Sequence, residues 1–225
     1  LPTSLEAENA RMLRLYDHWE SGNCYKVRLL LSQLGQAFER VDVDILEGET
    51  RTPEFLAKNP NHRVPVVEWP DGRALAESNA ILFHLAEGSP FLPSDPWQRA
   101  QVLQWQAFEQ YSHEPYIAVV RFWHFTKKLE ENQHLLPAKM EGGYHALDVM
   151  EKHLSGQDFF VGGRYSIADI SLYAYTHVAD EGGFDLEAYP YTRAWIARVR
   201  EQPRYIGLTE AVGARVSKFS DLLES

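Results

Sequence analysis

Cysteine is almost missing from this chain. Cys24 stands alone among 225 residues, so no disulfide can form within the chain, and no Cys/His cluster suggests a zinc site. One free thiol suits a reducing cytoplasm. Long apolar runs are absent as well: none approaches the roughly 20 residues needed to span a bilayer, so no membrane partner is expected. The first ten residues are polar and lack the basic and apolar regions of a secretory leader. Basic charge is in deficit, with 22 Lys and Arg against 32 Asp and Glu and a net charge of −10. That balance argues against bulk nucleic-acid binding and means that an anionic ligand needs local help. There is no Gly-rich phosphate loop and no Gly-x-Ser-x-Gly elbow, which excludes nucleotide hydrolysis and esterase chemistry. His113 and His124 have no acidic partner at metal-site spacing, so no metal is expected.

What is present is 44% apolar and 12% aromatic, the composition of a folded globular protein, in a length that allows one large or two small domains. The pattern changes near residue 90. Before it, residues 12–16 read as a strand and Ser21-Gly22-Asn23 as a turn. Val27, Leu30, Leu31 and Leu34 follow helical spacing up to Gly35. Residues 38–45 alternate as a second strand, and 52–58 allow a short helix. Residues 64–68 and 73–76 form a hairpin through Asp71-Gly72, and 78–87 a last helix. The first two strands should be parallel through a right-handed crossover. Residues 88–96, with three prolines in the last seven, form a linker. Beyond it helices are expected over 97–126 (broken at Pro115), 139–153, 166–181, 190–202 and 208–223. Ser166-x-x-Asp169 reads as a capping box, with Tyr165 and Ile170 as its hydrophobic staple.

Asn59-Pro60-Asn61-His62-Arg63-Val64-Pro65 leads into an apolar strand that begins with Val-Pro, and Glu77-Ser78 open a helix shortly after. Proline offers no N–H to a ladder, so this strand begins on exposed backbone. An exposed peptide edge beside a helix N-terminus is a receptor for a small peptide with a terminal carboxylate. Ser78 reads equally as an ordinary helix cap, and so does Asn23 at the earlier turn. Lys26 and Arg63 either offset the repulsion of an anionic ligand or are plain surface charges.

Taken in order, the Ser21-Gly22-Asn23-Cys24 turn, the Asn-Pro-x-x-x-Val-Pro segment, the Glu77-Ser78 pair and the Gly163-x-x-x-Ser166-Ile167-Ala168-Asp169-Ile170 element resemble the cytosolic glutathione transferase family, from about residue 12 to about 205. The bacterial classes with a Thr-x-Asn turn before Lys-Val, and the theta- and delta-like classes, look nearest. The resemblance implies an α/β thioredoxin-like N-terminal domain over 11–88, with a cis bond at Pro65, and an all-α helical bundle over 97–225. It implies glutathione as co-substrate, no other cofactor, and a homodimer. Ser21 and Asn23 would stabilise the glutathione thiolate. Val64 and Pro65 would pair with its cysteinyl backbone, Glu77 and Ser78 would hold the γ-glutamyl end, and His62 would reach the glycyl end. Neither Ser21 nor Asn23 is a base at neutral pH, so their role is electrostatic.

The helical domain should supply a pocket for a small hydrophobic electrophile, with Tyr111, Tyr116 and His124 as lining candidates from an aromatic stretch around Pro115. Cys24, at a helix start, is the rival nucleophile, though its spacing favours a packed thiol; Tyr16 is better placed for the core. Asp169 reads as a structural cap. The expected activity is transfer of glutathione to the electrophile. A glutathione-dependent disulfide reductase or peroxidase, and a non-catalytic glutathione-binding scaffold, use the same binding residues.

Overall fold

A computed structural model describes residues 12–223; the polar first ten residues, and the reading made of them, lie outside the described residues. The chain forms two compact units. One runs up to Leu85 and takes the chain back at Arg204; the other spans Ala86–Pro203.

The first unit is built on strand β1 (Leu13–Asp17), helix α1 (Gly22–Leu34) and strand β2 (Phe38–Asp42). Helix α1 stops where Gly35 adopts φ 67°, a left-handed geometry that costs a glycine little. The crossover leaves β1 and β2 parallel, with Leu13 opposite Phe38. Helix α2 (Pro53–Leu56) is capped by Thr52, whose Oγ1 accepts from the Phe55 N–H at 3.3 Å. Strands β3 (Val66–Glu68) and β4 (Ala74–Ala76) make the antiparallel hairpin, and α3 (Ser78–Leu85) follows. Strand side chains alternate between faces. Leu13 and Leu15 accordingly pack with Val27, Leu31, Phe38, Val67 and Ile81, while Tyr16 packs with Val41, Phe55 and Val66 in a second cluster.

The C-terminal segment departs from the expected helix over 208–223. Residues Arg215–Lys218 form strand β5, parallel to β2, and only Phe219–Leu223 (α9) is helical. The sheet order is β4-β3-β1-β2-β5. Gly213, at φ 112°, breaks any helix there, and the open edge of β2 supplies ladder partners that a lone helix lacks; the Ala214 N–H donates to the Phe38 carbonyl at 2.8 Å. Phe219 is buried edge-on against Tyr16 and Phe55.

The returning chain also ties down α1. Ser32 Oγ donates to the Arg204 carbonyl at 2.9 Å, Tyr25 Oη to that of Ile206 at 2.7 Å, and Arg28 Nη2 to that of Leu208 at 2.8 Å. Arg28 is buried on Asp17, and its Nη2 also holds the Trp19 carbonyl at 2.8 Å. The turn that opens α1 is therefore anchored from below by a buried ion pair.

The second unit packs α4 (Pro96–Phe108), α5 (Glu114–Phe125), α6 (Leu136–Leu154), α7 (Ile167–Thr176) and α8 (Pro190–Arg200). The break expected at Pro115 takes the form of one π turn over Glu109–His113, with Pro115 in the first turn of α5. Proline has no N–H for the α ladder and its ring crowds the carbonyl four residues back; widening the turn relieves both. Asp169 closes the capping box of α7 with Ser166. Its carboxylate, fully buried, accepts from the N–H groups of Phe160 at 3.1 Å and Ser166 at 2.9 Å, from Ser166 Oγ at 3.1 Å and from Trp195 Nε1 at 2.9 Å. Tyr165 and Ile170 are both buried beside it in sequence. Among the described residues, no helix is long and apolar enough to cross a membrane.

Candidate functional site

The site grows from the turn between β1 and α1. The Ser21 N–H donates to the His18 carbonyl at 2.9 Å, closing the turn, and Ser21 then serves as N-cap of α1. Its Oγ accepts from the Cys24 N–H at 3.3 Å. A hydroxyl has one proton and two lone pairs, so this cap uses a lone pair and keeps the proton for donation. The first turn also carries the positive end of the helix dipole.

Asn23 stands on that turn with its orientation set by two donors. Lys26 Nζ donates to Asn23 Oδ1 at 2.8 Å, and Ser78 Oγ, on α3, donates to the same oxygen at 3.1 Å. Lys26 Nζ also reaches Ser78 Oγ at 3.4 Å. Because both neighbours are donors, the amide oxygen must face them and the NH2 end turns away. Lys26 is completely buried, so it is not a surface charge. Ser78 is buried too, and it is not the side-chain cap of α3: the carbonyl of Glu77 accepts the first helical bond, from the Ile81 N–H at 2.9 Å. Glu77 itself is exposed and held at φ 68°, a conformation rare outside glycine.

The Asn59–Pro65 segment is shaped by Asn59, which is buried. Its Nδ2 donates to the Arg63 carbonyl at 2.8 Å, its Oδ1 accepts from the Asn61 N–H at 3.0 Å, and its own carbonyl accepts from the His62 N–H at 2.9 Å. These bonds fold the loop back on itself, with His62 exposed at φ 45°. The Val64–Pro65 peptide is cis. Pairing with β1 and with β4 begins at Val66, so Val64 lies beyond the ladder on both sides.

Cys24 and Tyr16 are removed from this chemistry by burial. Cys24 is fully buried; its Sγ accepts from the His18 N–H at 3.4 Å, and burial with nearby Asp17 pushes its thiol far above the usual thiol range. A thiol held neutral is a poor nucleophile. We therefore expect a colorimetric disulfide reagent to leave the native protein essentially unmodified and to titrate one thiol after denaturation. Prompt labelling of native protein would reinstate Cys24 as a redox candidate. Tyr16 is also buried, and its hydroxyl donates to Glu68 Oε2 at 2.7 Å, an arrangement that raises its pKa and ties its proton to the core.

In the helical unit, Tyr111 is 85% exposed and His124 is also exposed. Tyr116 lies under Lys139 Nζ, 5.2 Å from the ring centre, and lines a cleft of about 560 Å³ with Tyr144, His145, Glu141 and Asp148. Neither Tyr111 nor His124 lines that cleft. His113 is buried on Thr176, with Nε2 to Oγ1 at 2.9 Å. Among the described residues, no group of three or more His, Cys, Asp or Glu side chains could hold a metal ion.

Sequence reasoning thus placed Ser21, Asn23 and Ser78 in one site, and the structure brings Asn23 and Ser78 into contact across 55 positions. It missed the parts played by Lys26 and Asn59. The signal for Lys26 was its spacing, three residues past Asn23 on the same helical face.

Comparison with known proteins agrees with this architecture. Residues 11–87 match the family model for the glutathione S-transferase N-terminal domain, and 106–203 the model for its C-terminal domain. A crystal structure of a glutathione S-transferase from Pseudomonas fluorescens shares 56% identity, with a TM-score of 0.87 over 88% of this chain and 100% of that one. A glutathione transferase from Pseudomonas putida, solved with one glutathione disulfide bound per subunit, is 29% identical, with a TM-score of 0.76 over 90% of this chain and 91% of that one. The disulfide-bond oxidoreductase YfcG of Escherichia coli K12 is 28% identical over 195 residues, 80% of this chain and 87% of that protein.

Proposed function

The chain belongs to the glutathione S-transferase family, and from that premise we propose that it is a glutathione transferase whose α1 turn holds the thiolate of glutathione for attack on a hydrophobic electrophile. The observation that carries this reading is the Asn23–Ser78 contact, because it joins the turn suited to an anion with the helix start suited to a carboxylate.

In this reading the glutathione sulfur lies at the α1 turn. The Ser21 hydroxyl proton, the NH2 end of Asn23 and the helix dipole favour S⁻ over SH, and the displaced proton goes to solvent. The thiolate forms a new S–C bond and the leaving group departs with its electron pair. Val64, whose backbone lies past the ladder, pairs with the cysteinyl residue beside Pro65. Glu77 takes the γ-glutamyl ammonium, the backbone N–H of Ser78 takes the γ-glutamyl carboxylate while its hydroxyl stays on Asn23, and His62 reaches the glycyl end. The protein would act as a cytoplasmic homodimer.

A second reading is favoured by the relatives: one binds glutathione disulfide and one is a disulfide-bond oxidoreductase. There the same thiolate attacks a disulfide sulfur, one S–S bond replaces another, and a thiolate leaves. The buried Cys24 takes no part in either reaction. Steady-state turnover of an aromatic halide and of a glutathionyl mixed disulfide, alongside calorimetric glutathione binding, separates the two. Turnover of the halide supports the transferase, and turnover of the disulfide alone supports the second reading. Binding without turnover of either would leave a glutathione-binding scaffold.

A further inference from the structure

Lysine is among the residues least often buried, yet Lys26 has no exposed surface. Its ammonium donates to two residues proposed to bind glutathione, at Asn23 Oδ1 (2.8 Å) and Ser78 Oγ (3.4 Å). The third side of the triangle is the bond from Ser78 Oγ to Asn23 Oδ1 at 3.1 Å. Desolvating a lysine is costly, and packing alone would be served better by a leucine or methionine. The triangle supplies what packing does not, namely a charge at the carbonyl end of one particular amide.

We propose that Lys26 is a positioning residue for glutathione chemistry: it fixes and polarises the Asn23 carboxamide, and it couples that amide to Ser78. This rests on the reading that Asn23 faces the glutathione sulfur. A cation on the amide oxygen draws density from the nitrogen and makes its N–H groups stronger donors to an anion. Two donors on the oxygen also forbid the flipped amide, which would turn a carbonyl dipole toward the thiolate. Because Ser78 shares the same oxygen, occupation of the γ-glutamyl subsite and orientation of the thiolate donor become one event. Lys26 acts on the sulfur only through Asn23 and touches no substrate.

The test is a double-mutant cycle on Lys26→Met and Asn23→Ala, read by ultraviolet thiolate absorption of bound glutathione against pH and by the pH profile of kcat. Lys26→Met should raise the half-titration point of the bound thiol by about one pH unit. It should lower kcat near neutrality about 10-fold, recover rate at alkaline pH, and move KM less than kcat. In the Asn23→Ala background the same substitution should change neither the titration nor the profile. Should Lys26→Met fail to fold, Lys26→Gln, neutral but still a donor, is read in the same way. An unshifted titration in the single variant, or effects that simply add, overturns the assignment. Failure of the unsubstituted protein to bind glutathione, or an unshifted thiol in it, overturns the parent reading and the proposal with it, and is seen before any substitution.

Discussion

Asp169→Ala should cost about 3–5 kcal/mol of stability, measured by chemical denaturation. The carboxylate is completely buried and receives four donors from three buried residues in different parts of the helical unit: Phe160, Ser166 and Trp195. Removing it strands the Trp195 indole N–H and two backbone N–H groups with no acceptor, besides opening the capping box. Asp169→Asn should be nearly as damaging. Each oxygen takes two donors, and an amide NH2 must confront one pair or the other.

Burial raises this carboxyl from its usual 3.8 to about 6 despite its donors. A group that binds its proton more readily in the fold than in the unfolded chain lends most stability at low pH. Its contribution should therefore decline as pH rises from about 4 to about 6 and stay flat above, and this component should vanish in Asp169→Asn. A variant within about 1 kcal/mol of the parent would contradict the capping role.

Asn23→Ala should lower kcat by about 100-fold near neutrality, the size typical of losing one preorganised donor to an anion. The amide is oriented before any ligand arrives, by Lys26 and Ser78, so its loss removes a donor that needs no reorganisation. Ser21→Ala should lower kcat less, by about 10-fold, because a hydroxyl engaged as a cap has one proton to give and a freer rotor. It should also cost about 1 kcal/mol of stability, as N-cap losses do. Glutathione should still bind in both variants through Val64, Glu77 and Ser78. Equal kcat values across parent and variants would show that the thiolate is stabilised elsewhere.

Much of this was legible in sequence because local signals and tertiary outcome agree. The β1-α1-β2 crossover, the Asp71-Gly72 turn, the Ser166-x-x-Asp169 box and the Val64–Pro65 boundary each carry residue types that admit few conformations. The C-terminal strand was not legible, because residues 208–223 apart from Gly213 have a helix-compatible composition and it is the open edge of β2, far away in sequence, that supplies the ladder. The π turn was hidden for a related reason: proline marks a break but not how the chain absorbs it. The burial of Lys26 depends on Ser78, which lies 52 positions away and reaches it only once α3 is packed. The positive φ of Glu77 is likewise a backbone fact that a glutamate does not advertise.

The central claim is that the turn at Ser21 and Asn23 holds glutathione as a thiolate. Its most direct test is the ultraviolet titration of glutathione bound to the unmodified protein, set against free glutathione. The account predicts that the bound thiol ionises at least one pH unit below the value of about 8.5 typical of a free thiol. A bound thiol that ionises at or above the free value would contradict it.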